Sequence, residues 1–262
     1  MEWEESLNEA EKAARMAGEM LRRNIDSSRE IAYKGAVNLV TDFDRRSQEI
    51  IFSHLSSCFP DHDVLAEEDL CEERGSVFRW IIDPIDGTTN YAHNFPIFCV
   101  SIALEWKSKV VCGVIYDPMR DEMFAAISGK GAVMNGRKIH TSINGDLDKS
   151  LLATGFPYDV RESEVNNIDH FANFATRVQA IRRCGSAALD LSYVACGRFD
   201  GFWELKLNPW DVAAGVLIVV ESGGRVTDFK GESTSIYGKD LCASNGLIHE
   251  QMIRILKLGK QL

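Results

Sequence analysis

Two carboxylates three positions apart are the first residues in this sequence that could do chemistry. Asp83 and Asp86 follow an apolar run that predicts a buried strand. Pro84 between them favours extended backbone at Asp83 and prevents it from continuing into a helix. Gly87 permits a sharp turn, and Thr88 then predicts a helix start whose free N–H groups attract anions. Carboxylates for a metal ion beside amides for an anion could hold a phosphate, although Asp86 could also simply cap the helix.

Three further acids stand at comparable positions in distant parts of the chain. Asp44 follows Thr41 and Asp42, either of which can cap a helix, so it falls in that helix's first turn. Glu67 comes directly after a short apolar strand, and Asp211 opens an apolar helix. Each has an ordinary explanation, as a first-turn acid or part of a solvated loop. Together the five acids form an all-oxygen set, which suits a hard cation such as Mg²⁺, with Mn²⁺ as a substitute.

Strand and helix patterns run through the whole chain and predict how these acids are positioned. Helices are predicted within residues 1–25, from residue 42 onward, and over 168–178, 187–195, 209–220 and 249–258. Strands are predicted over 77–82, 98–104, 110–116, 122–127, 150–154, 200–205, 223–227 and 241–245, with a turn over 129–132. The three strands between residues 98 and 127 are expected to form an antiparallel meander.

The loop at residues 144–146 is the best boundary between two halves of the chain. Residues 1–145 are expected to form an N-terminal α+β half that carries most metal ligands. Residues 146–262 are expected to form a C-terminal α/β half with a substrate loop and the last metal ligand. A chain of 262 residues suits two such halves packed as one unit.

Composition excludes several classes of function. The net charge of -10 argues against binding to nucleic acid or to an anionic membrane surface. No run is long enough to span a membrane and no signal-like segment is seen, so a cytoplasmic protein is expected. The seven cysteines lack Cys-x-x-Cys spacing and the six histidines lack ligand spacing, so neither a disulfide framework nor a zinc site is expected.

Several motifs resemble those of one known family. Residues 80–93, with the pattern Trp-x-x-Asp-Pro-Ile-Asp-Gly-Thr-x-x-Tyr-x-His, resemble the N-terminal signature of the inositol monophosphatase family. Residues 210–215, Trp-Asp-Val-Ala-Ala-Gly, resemble its C-terminal signature. Residues 39–44 and 66–68 are similar to its two upstream acidic motifs, and residues 184–188 to its substrate loop. The motifs occur in order over essentially the whole chain.

The resemblance implies a fold and a set of metal ligands. The fold would be α+β, the layered α-β-α-β-α sandwich of the sugar phosphatases. Glu67, Asp83 and the backbone carbonyl of Ile85 would bind a first Mg²⁺. Asp83, Asp86 and Asp211 would bind a second, with Asp83 as the bridge. A third, weaker ion would depend on Glu67.

The resemblance also implies how substrate is held and attacked. Asp44 and Thr88, with Glu67, would activate the attacking water, and no nucleophilic side chain would be needed. The amides of Gly87 and Thr88 would hold the phosphate, beside Asp86. The alcohol part of the substrate would meet Gly185, Ser186, Ala187 and Glu204, and a mobile loop with Lys34 and Gly35 would close over the site.

These implications predict a Mg²⁺-dependent phosphomonoesterase, most simply one that converts inositol-1-phosphate to inositol and phosphate. Fructose-1,6-bisphosphate is the alternative substrate, and a nucleotide 3′-phosphatase is disfavoured because that branch carries longer insertions. A phosphatase with an aspartyl-phosphate intermediate would need Asp-x-Asp rather than Asp-x-x-Asp. A non-enzymatic regulatory role through a protein partner is a further alternative, and the resemblance implies a homodimer. Asn38 departs from the family, since many members have an acid there, and this leaves the choice of sugar or polyol open.

Overall fold

The computed structural model describes residues 3–27, 31–33, 39–68 and 70–258 of the chain. Its helices are α1 (Glu4–Arg23), α2 (Asp42–Cys58), α3 (Thr88–Ala92), α4 (Ile168–Ala175), α5 (Ala187–Ala195), α6 (Pro209–Glu221) and α7 (His249–Leu256). Its strands are β1 (Ile31–Tyr33), β2 (Leu39–Thr41), β3 (Asp63–Ala66), β4 (Cys71–Glu72), β5 (Phe78–Asp86), β6 (Cys99–Trp106), β7 (Lys109–Asp117), β8 (Glu122–Ile127), β9 (Gly131–Met134), β10 (Arg137–Lys138), β11 (Leu151–Thr154), β12 (Ala180–Arg182), β13 (Gly201–Leu205), β14 (Arg225–Thr227) and β15 (Asp240–Ser244). Lys34, Gly35 and Asn38, on which two of the expectations fall, lie outside the described residues.

The strands form two large sheets and one small ribbon. The eight-stranded sheet has the order β10-β9-β8-β7-β6-β5-β3-β4, and the five-stranded sheet has the order β12-β11-β13-β15-β14. The predicted meander is confirmed, because β6, β7 and β8 pair antiparallel in succession. β5 lies inside the larger sheet, parallel to β3 and antiparallel to β6, so the acids at its end are held by neighbours on both sides.

The helices form three layers that alternate with the two large sheets. α1 and α2 pack on one face of the eight-stranded sheet, and α5 and α6 lie between the sheets. α4 and α7 cover the far face of the five-stranded sheet. This order of layers is α-β-α-β-α, which confirms the predicted fold class. Among the described residues, none of the helices is both long and apolar enough to cross a lipid bilayer.

Small residues let the helices approach the larger sheet closely. The predicted apolar face of α1 is confirmed, with Ala14, Ala17 and Leu21 fully buried. At the centre of the molecule, a Cβ added to Gly113 of β7 would lie only 2.9 Å from the Cα of Ala214 in α6. Backbone is therefore packed directly against backbone here, and this contact fixes how far α6 stands from the sheet.

Several element boundaries differ from the sequence prediction, among them those near Gly131 and Ala175. Residues 131–134 form β9, whereas a turn was predicted over 129–132. Both Gly129 and Gly131 do have positive φ, but Gly131 also pairs with Ile127 of β8, so the tight turn is shorter than its glycines suggested. The helix from Ile168 ends at Ala175 rather than at residue 178, and the chain then turns into β12.

Candidate active site

A β-bulge brings the two acids of β5 to one side of the sheet. Side chains three positions apart on a regular strand point to opposite faces. Here Asp83 lies opposite Ser101 of β6 while Asp86 lies opposite Cys99, so β5 contains one residue more than its partner in this interval. The bulge includes Pro84, which has no N–H to donate to the ladder and is tolerated at such a position. As a result Asp83 and Asp86 line the same cavity.

The backbone of the bulge is held by short hydrogen bonds. The N–H of Ile85 donates to Asp83 Oδ1 at 3.0 Å, and the Ser47 hydroxyl on α2 donates to the carbonyl of Pro84 at 2.7 Å. The carbonyl of Ile85 lies 3.0 Å from Thr88 Oγ1 at the start of α3. These contacts hold the turn after β5 rigid, and Ile85 lines the cavity with the acids.

The N-terminus of α2 holds Asp44 in place through one oxygen and leaves the other for the site. Thr41 is the N-cap, and its N–H and hydroxyl both donate to Asp44 Oδ2, at 2.7 and 2.6 Å. The hydroxyl of Thr88 donates to Asp44 Oδ1 at 2.9 Å. Burial raises the pKa of Asp44 to about 6, although the hydrogen bonds from Thr41 and Thr88 oppose the rise. Asp44 and Thr88 therefore form a hydrogen-bonded carboxylate–hydroxyl pair, and the pKa of the carboxyl group lies close to neutral pH.

Asp211 is held at the start of α6 by a capping box, as Asp44 is at the start of α2. It is the third residue of α6, and the N–H of Asn208, the N-cap residue, donates to Asp211 Oδ2 at 2.6 Å. Pro209 occupies the first helical position, where its missing N–H costs nothing. The pKa of Asp211 is raised well above its ordinary value. Burial is the largest cause, and the negative charge of Asp86 is the next.

Asp86 connects the end of β5 to the start of α5. Its Oδ2 accepts from the Ser186 hydroxyl at 2.8 Å and from the N–H of Ala188 at 2.5 Å, at the N-terminus of α5. Ser186 is also the N-cap of α5, where its hydroxyl accepts from the N–H of Leu189 at 3.2 Å. Burial raises the pKa of Asp86 to about 6, against the effect of these donors. The start of the predicted substrate loop is thus tied directly to a predicted metal ligand.

Glu67 approaches from the strand beside β5. It follows the last residue of β3, and its N–H donates to the carbonyl of Ile82 at 3.2 Å, which extends the pairing of β3 with β5. Burial raises the pKa of Asp83, and the charge of Glu67 is the next largest cause. The carboxylate of Glu67 is therefore close enough to Asp83 to repel it.

Four of the predicted acids surround one cavity of about 190 Å³. It is lined by Glu67, Asp83, Ile85, Asp86, Gly87, Thr88, Tyr158, Asn208, Trp210 and Asp211. None of the described residues that line it is a lysine, an arginine or a histidine. Carboxylates this close together repel one another, and a divalent cation would remove that repulsion. Hard oxygen donors with no sulfur or imidazole among them fit Mg²⁺ or Mn²⁺.

A larger chamber of about 570 Å³ adjoins this cavity. Six residues line both, namely Asp86, Gly87, Thr88, Tyr158, Asn208 and Asp211. All the residues predicted to meet the substrate alcohol line the chamber, namely Gly185, Ser186, Ala187 and Glu204. Burial raises the pKa of Glu204 to about 8, and the charge of Arg183 opposes that rise. Two cations, Arg183 and Lys206, line the chamber together with acids and apolar residues.

The structure adds residues that the sequence did not single out. Asn90 donates from its amide to the carbonyls of Ile97 and Cys184, both at 2.8 Å, and so ties the turn after β5 to the substrate loop. A Cβ at Gly155 would overlap the carboxylate of Glu204, so only glycine leaves room for that side chain. Tyr158 lines both cavities. Asn90 lies within the signature at residues 80–93 and could have been noticed there, whereas Gly155 and Tyr158 carry no local signal.

This fold, with a carboxylate cavity beside a larger chamber, is the arrangement expected of a hydrolase of phosphate esters. The model of the inositol monophosphatase family matches residues 2–260. The chain is 41% identical to inositol monophosphatase 2 of Solanum lycopersicum, with 97% of this chain and 98% of that protein covered. It is 40% identical to Nus factor SuhB of Escherichia coli, with 94% of each covered. The structure of inositol monophosphatase from Anabaena (Nostoc) sp. superposes with a TM-score of 0.89 at 42% identity, covering 97% of this chain and 95% of that one.

The chain therefore belongs to the inositol monophosphatase family, and it is a phosphoric monoester hydrolase. These relatives cover 94 to 97% of the chain, and the structural match shows that the layered fold is that of the family. The resemblance identified from the sequence is confirmed.

Proposed function

We propose that this protein hydrolyses inositol-1-phosphate to inositol and phosphate in a reaction that depends on Mg²⁺. The observation that carries the proposal is that Glu67, Asp83, Asp86 and Asp211 line one cavity, with the Asp44–Thr88 pair at its edge. The names of the relatives support the substrate. Water attacks phosphorus directly, and the side chains act by positioning and by proton transfer.

Mg²⁺ would be held by the carboxylates of Glu67, Asp83, Asp86 and Asp211 and by the carbonyl of Ile85. Two or three ions are proposed, with Mn²⁺ as a substitute. Bound in such a cavity, divalent cations lower the pKa of coordinated water and neutralise the charge on phosphoryl oxygens. Asp83 is the most buried of these acids, and repulsion from its neighbours contributes to its raised pKa, so it would help to hold more than one of the ions.

Asp44 and Thr88 are the proposed route for the proton of the attacking water. Water donates to Thr88 Oγ1 while the Thr88 hydroxyl donates to Asp44 Oδ1, the contact that measures 2.9 Å. Thr41 donates two hydrogen bonds to Asp44 Oδ2, and these keep the other oxygen, Oδ1, directed at Thr88. With a pKa of about 6, Asp44 is mostly ionised at neutral pH and can accept the proton.

The substrate would lie across the two cavities. The amides of Gly87 and Thr88 are proposed to hold phosphoryl oxygens next to Asp86, and Gly87 reaches the required backbone conformation with a φ of 103°. The polyol would extend into the larger chamber, where Glu204, Ser186 and the backbone of Gly185 and Ala187 offer partners for hydroxyl groups. Closure by the segment with Lys34 and Gly35 remains a proposal from the resemblance.

Fructose-1,6-bisphosphate is the second candidate substrate, and one observation favours it. Arg183 and Lys206 both line the larger chamber, so a second phosphate could find cationic partners there. Lys206 is paired with Asp159 at 2.6 Å, and that ion pair would have to open. A regulatory role through a protein partner is supported only by the name of the Escherichia coli relative, and a homodimer only by the family resemblance.

A phosphate-release assay that compares the two substrates tests this function. Inositol-1-phosphate and fructose-1,6-bisphosphate are each supplied with Mg²⁺, with chelator, and with Mg²⁺ restored after chelation. We expect hydrolysis of inositol-1-phosphate only where Mg²⁺ is present. Full activity after exhaustive chelation would refute the metal dependence, and a much higher kcat/KM for the bisphosphate would replace the proposed substrate.

A further inference from the structure

Outside the active site, α1 and α2 bring three metal-binding side chains together. His54 and Cys58 are four positions apart on α2 and therefore lie on the same face of that helix. Glu9 of α1 packs against that face. One donor atom from each of the three residues lies within 4.8 Å of the other two.

The distances within this triad are close to those of a metal site. Glu9 Oε2 lies 2.8 Å from His54 Nε2 and 3.7 Å from Cys58 Sγ. Zinc bonds of about 2.0 Å to nitrogen or oxygen and about 2.3 Å to sulfur place tetrahedral ligands about 3.3 to 3.6 Å apart. The Glu9–Cys58 distance is already close to this spacing, and the shorter Glu9–His54 contact would require a small outward shift of the His54 ring. The donor atoms of His54 and Cys58 lie within 4.8 Å of each other.

The surroundings leave the required atoms available. Lys12 donates to the other oxygen of Glu9, Oε1, at 2.6 Å, so the carboxylate is held with Oε2 directed at His54 and Cys58. The pKa of Glu9 is lowered, first by its hydrogen bond with Lys12 and then by that with His54, so the group is ionised at neutral pH. Cys58 is exposed and the side chains of Glu9 and His54 are partly so, which gives an ion a path of entry.

We propose that Glu9, His54 and Cys58 form a second metal site, one for Zn²⁺ or a similar borderline transition-metal ion. The Cys58 thiol loses its proton to solvent as the thiolate–metal bond forms, and water completes the fourth position. Imidazole and thiolate ligands distinguish this site from the all-oxygen cavity that suits Mg²⁺. The ion would link α1 to α2, two helices whose ligands are 45 residues apart in the chain. No zinc site was expected from the spacing of cysteines and histidines along the sequence, because that spacing does not show which helices pack together in the fold.

Titration of the full-length protein with Co²⁺ tests the proposal. The protein is first reduced, and Mg²⁺ in excess occupies the carboxylate cavity. A thiolate bound to Co²⁺ gives a sulfur-to-metal charge-transfer band that carboxylates do not give. We expect one equivalent of this band, displaced by one equivalent of Zn²⁺. Both Cys58→Ser and His54→Gln should weaken the affinity more than about 100-fold, since loss of outer-shell partners alone costs about 10- to 100-fold.

Cys71→Ser is the matched control, because Cys71 is the other exposed free cysteine among the described residues. The proposal predicts an unchanged band in Cys71→Ser and a weakened affinity in Glu9→Gln. Circular dichroism and the melting temperature of each variant establish that it is folded. Absence of the band in the wild type, or its persistence in folded Cys58→Ser, would overturn the proposal and leave the triad as a hydrogen-bonded contact between two helices.

Discussion

Replacement of Asp44 by asparagine should uncouple the proton route while the fold and the cation ligands stay in place. The introduced amide would keep its carbonyl oxygen towards the N–H of Thr41, which can only donate. Its N–H₂ group would then face Thr88 Oγ1, where Asp44 Oδ1 accepts a hydrogen bond at 2.9 Å. The hydroxyl of Thr88 would turn to its other acceptor, the carbonyl of Ile85 at 3.0 Å. Thr88 could then no longer pass a proton on.

The expected loss is the contribution of a general base. Asp44→Asn should lower kcat by about 100-fold or more, the usual scale for such assistance, with little change in KM. Thr88→Val should do the same, because it removes the hydroxyl and keeps the shape. The double variant should be no worse than either single one, since both remove one relay. Thr88→Ser retains the hydroxyl and is the matched control, expected to lose less than about tenfold by comparison.

The pH dependence gives an independent check. With a pKa of about 6, about nine in ten Asp44 carboxyls are ionised at pH 7 and about one in ten at pH 5. The ionised form is the base, so kcat of the wild type should fall as the pH decreases through this range. Cations in the neighbouring cavity would move the fall to lower pH. The profile of Asp44→Asn should lack this acidic limb.

Stopped or continuous phosphate release at saturating inositol-1-phosphate and Mg²⁺ measures each of these quantities. Three results would refute the proton route. The first is an Asp44→Asn enzyme that keeps most of its kcat, and the second is a rise in KM with kcat unchanged. The third is a double variant whose loss equals the product of the single losses, because that would mean two independent functions.

Three further predictions follow from the same site. Asp83→Asn should stay nearly inactive as the Mg²⁺ concentration is raised, whereas Asp211→Asn should recover part of its activity, because only Asp83→Asn would weaken the binding of two ions. Equal recovery of the two variants in Mg²⁺ titrations would rule out Asp83 as the bridge. Gly155→Ala should displace the Glu204 carboxylate and raise KM for inositol-1-phosphate several-fold with a smaller change in kcat, and an unchanged KM would mean that Glu204 does not contact the polyol. The chelated protein should melt at higher temperature as the pH falls from 8 towards 5, because the raised pKa values of Glu204 (about 8) and Asp44 (about 6) make the folded state bind protons more tightly than the unfolded one. Differential scanning calorimetry measures that shift, and a melting temperature that falls over the same range would contradict these two pKa shifts.

Much of the fold could be predicted, because it depends on sequence patterns within single helices and between neighbouring strands. The helix start at Thr41 or Asp42, the apolar face of α1 and the meander of three strands each depend on residues close together in the chain, and each is confirmed, with Thr41 as the cap. The family, too, was identifiable from short motifs. The division of the chain at residue 145 and the roles of the individual site residues stay predictions.

What the sequence determined by itself was which acids could act and the kind of element that begins or ends at each. Tertiary structure decided that they meet. The bulge at Pro84 turns Asp83 and Asp86 to one side, and the N-termini of α2 and α6 deliver Asp44 and Asp211 from segments far apart in the chain. No local pattern encodes the space that Gly155 leaves for Glu204, or the meeting of Glu9 with α2, because both arise from packing between distant elements. Local sequence specifies hydrogen bonding and periodicity within an element, whereas the distance between side chains on different elements is fixed only when their apolar faces pack.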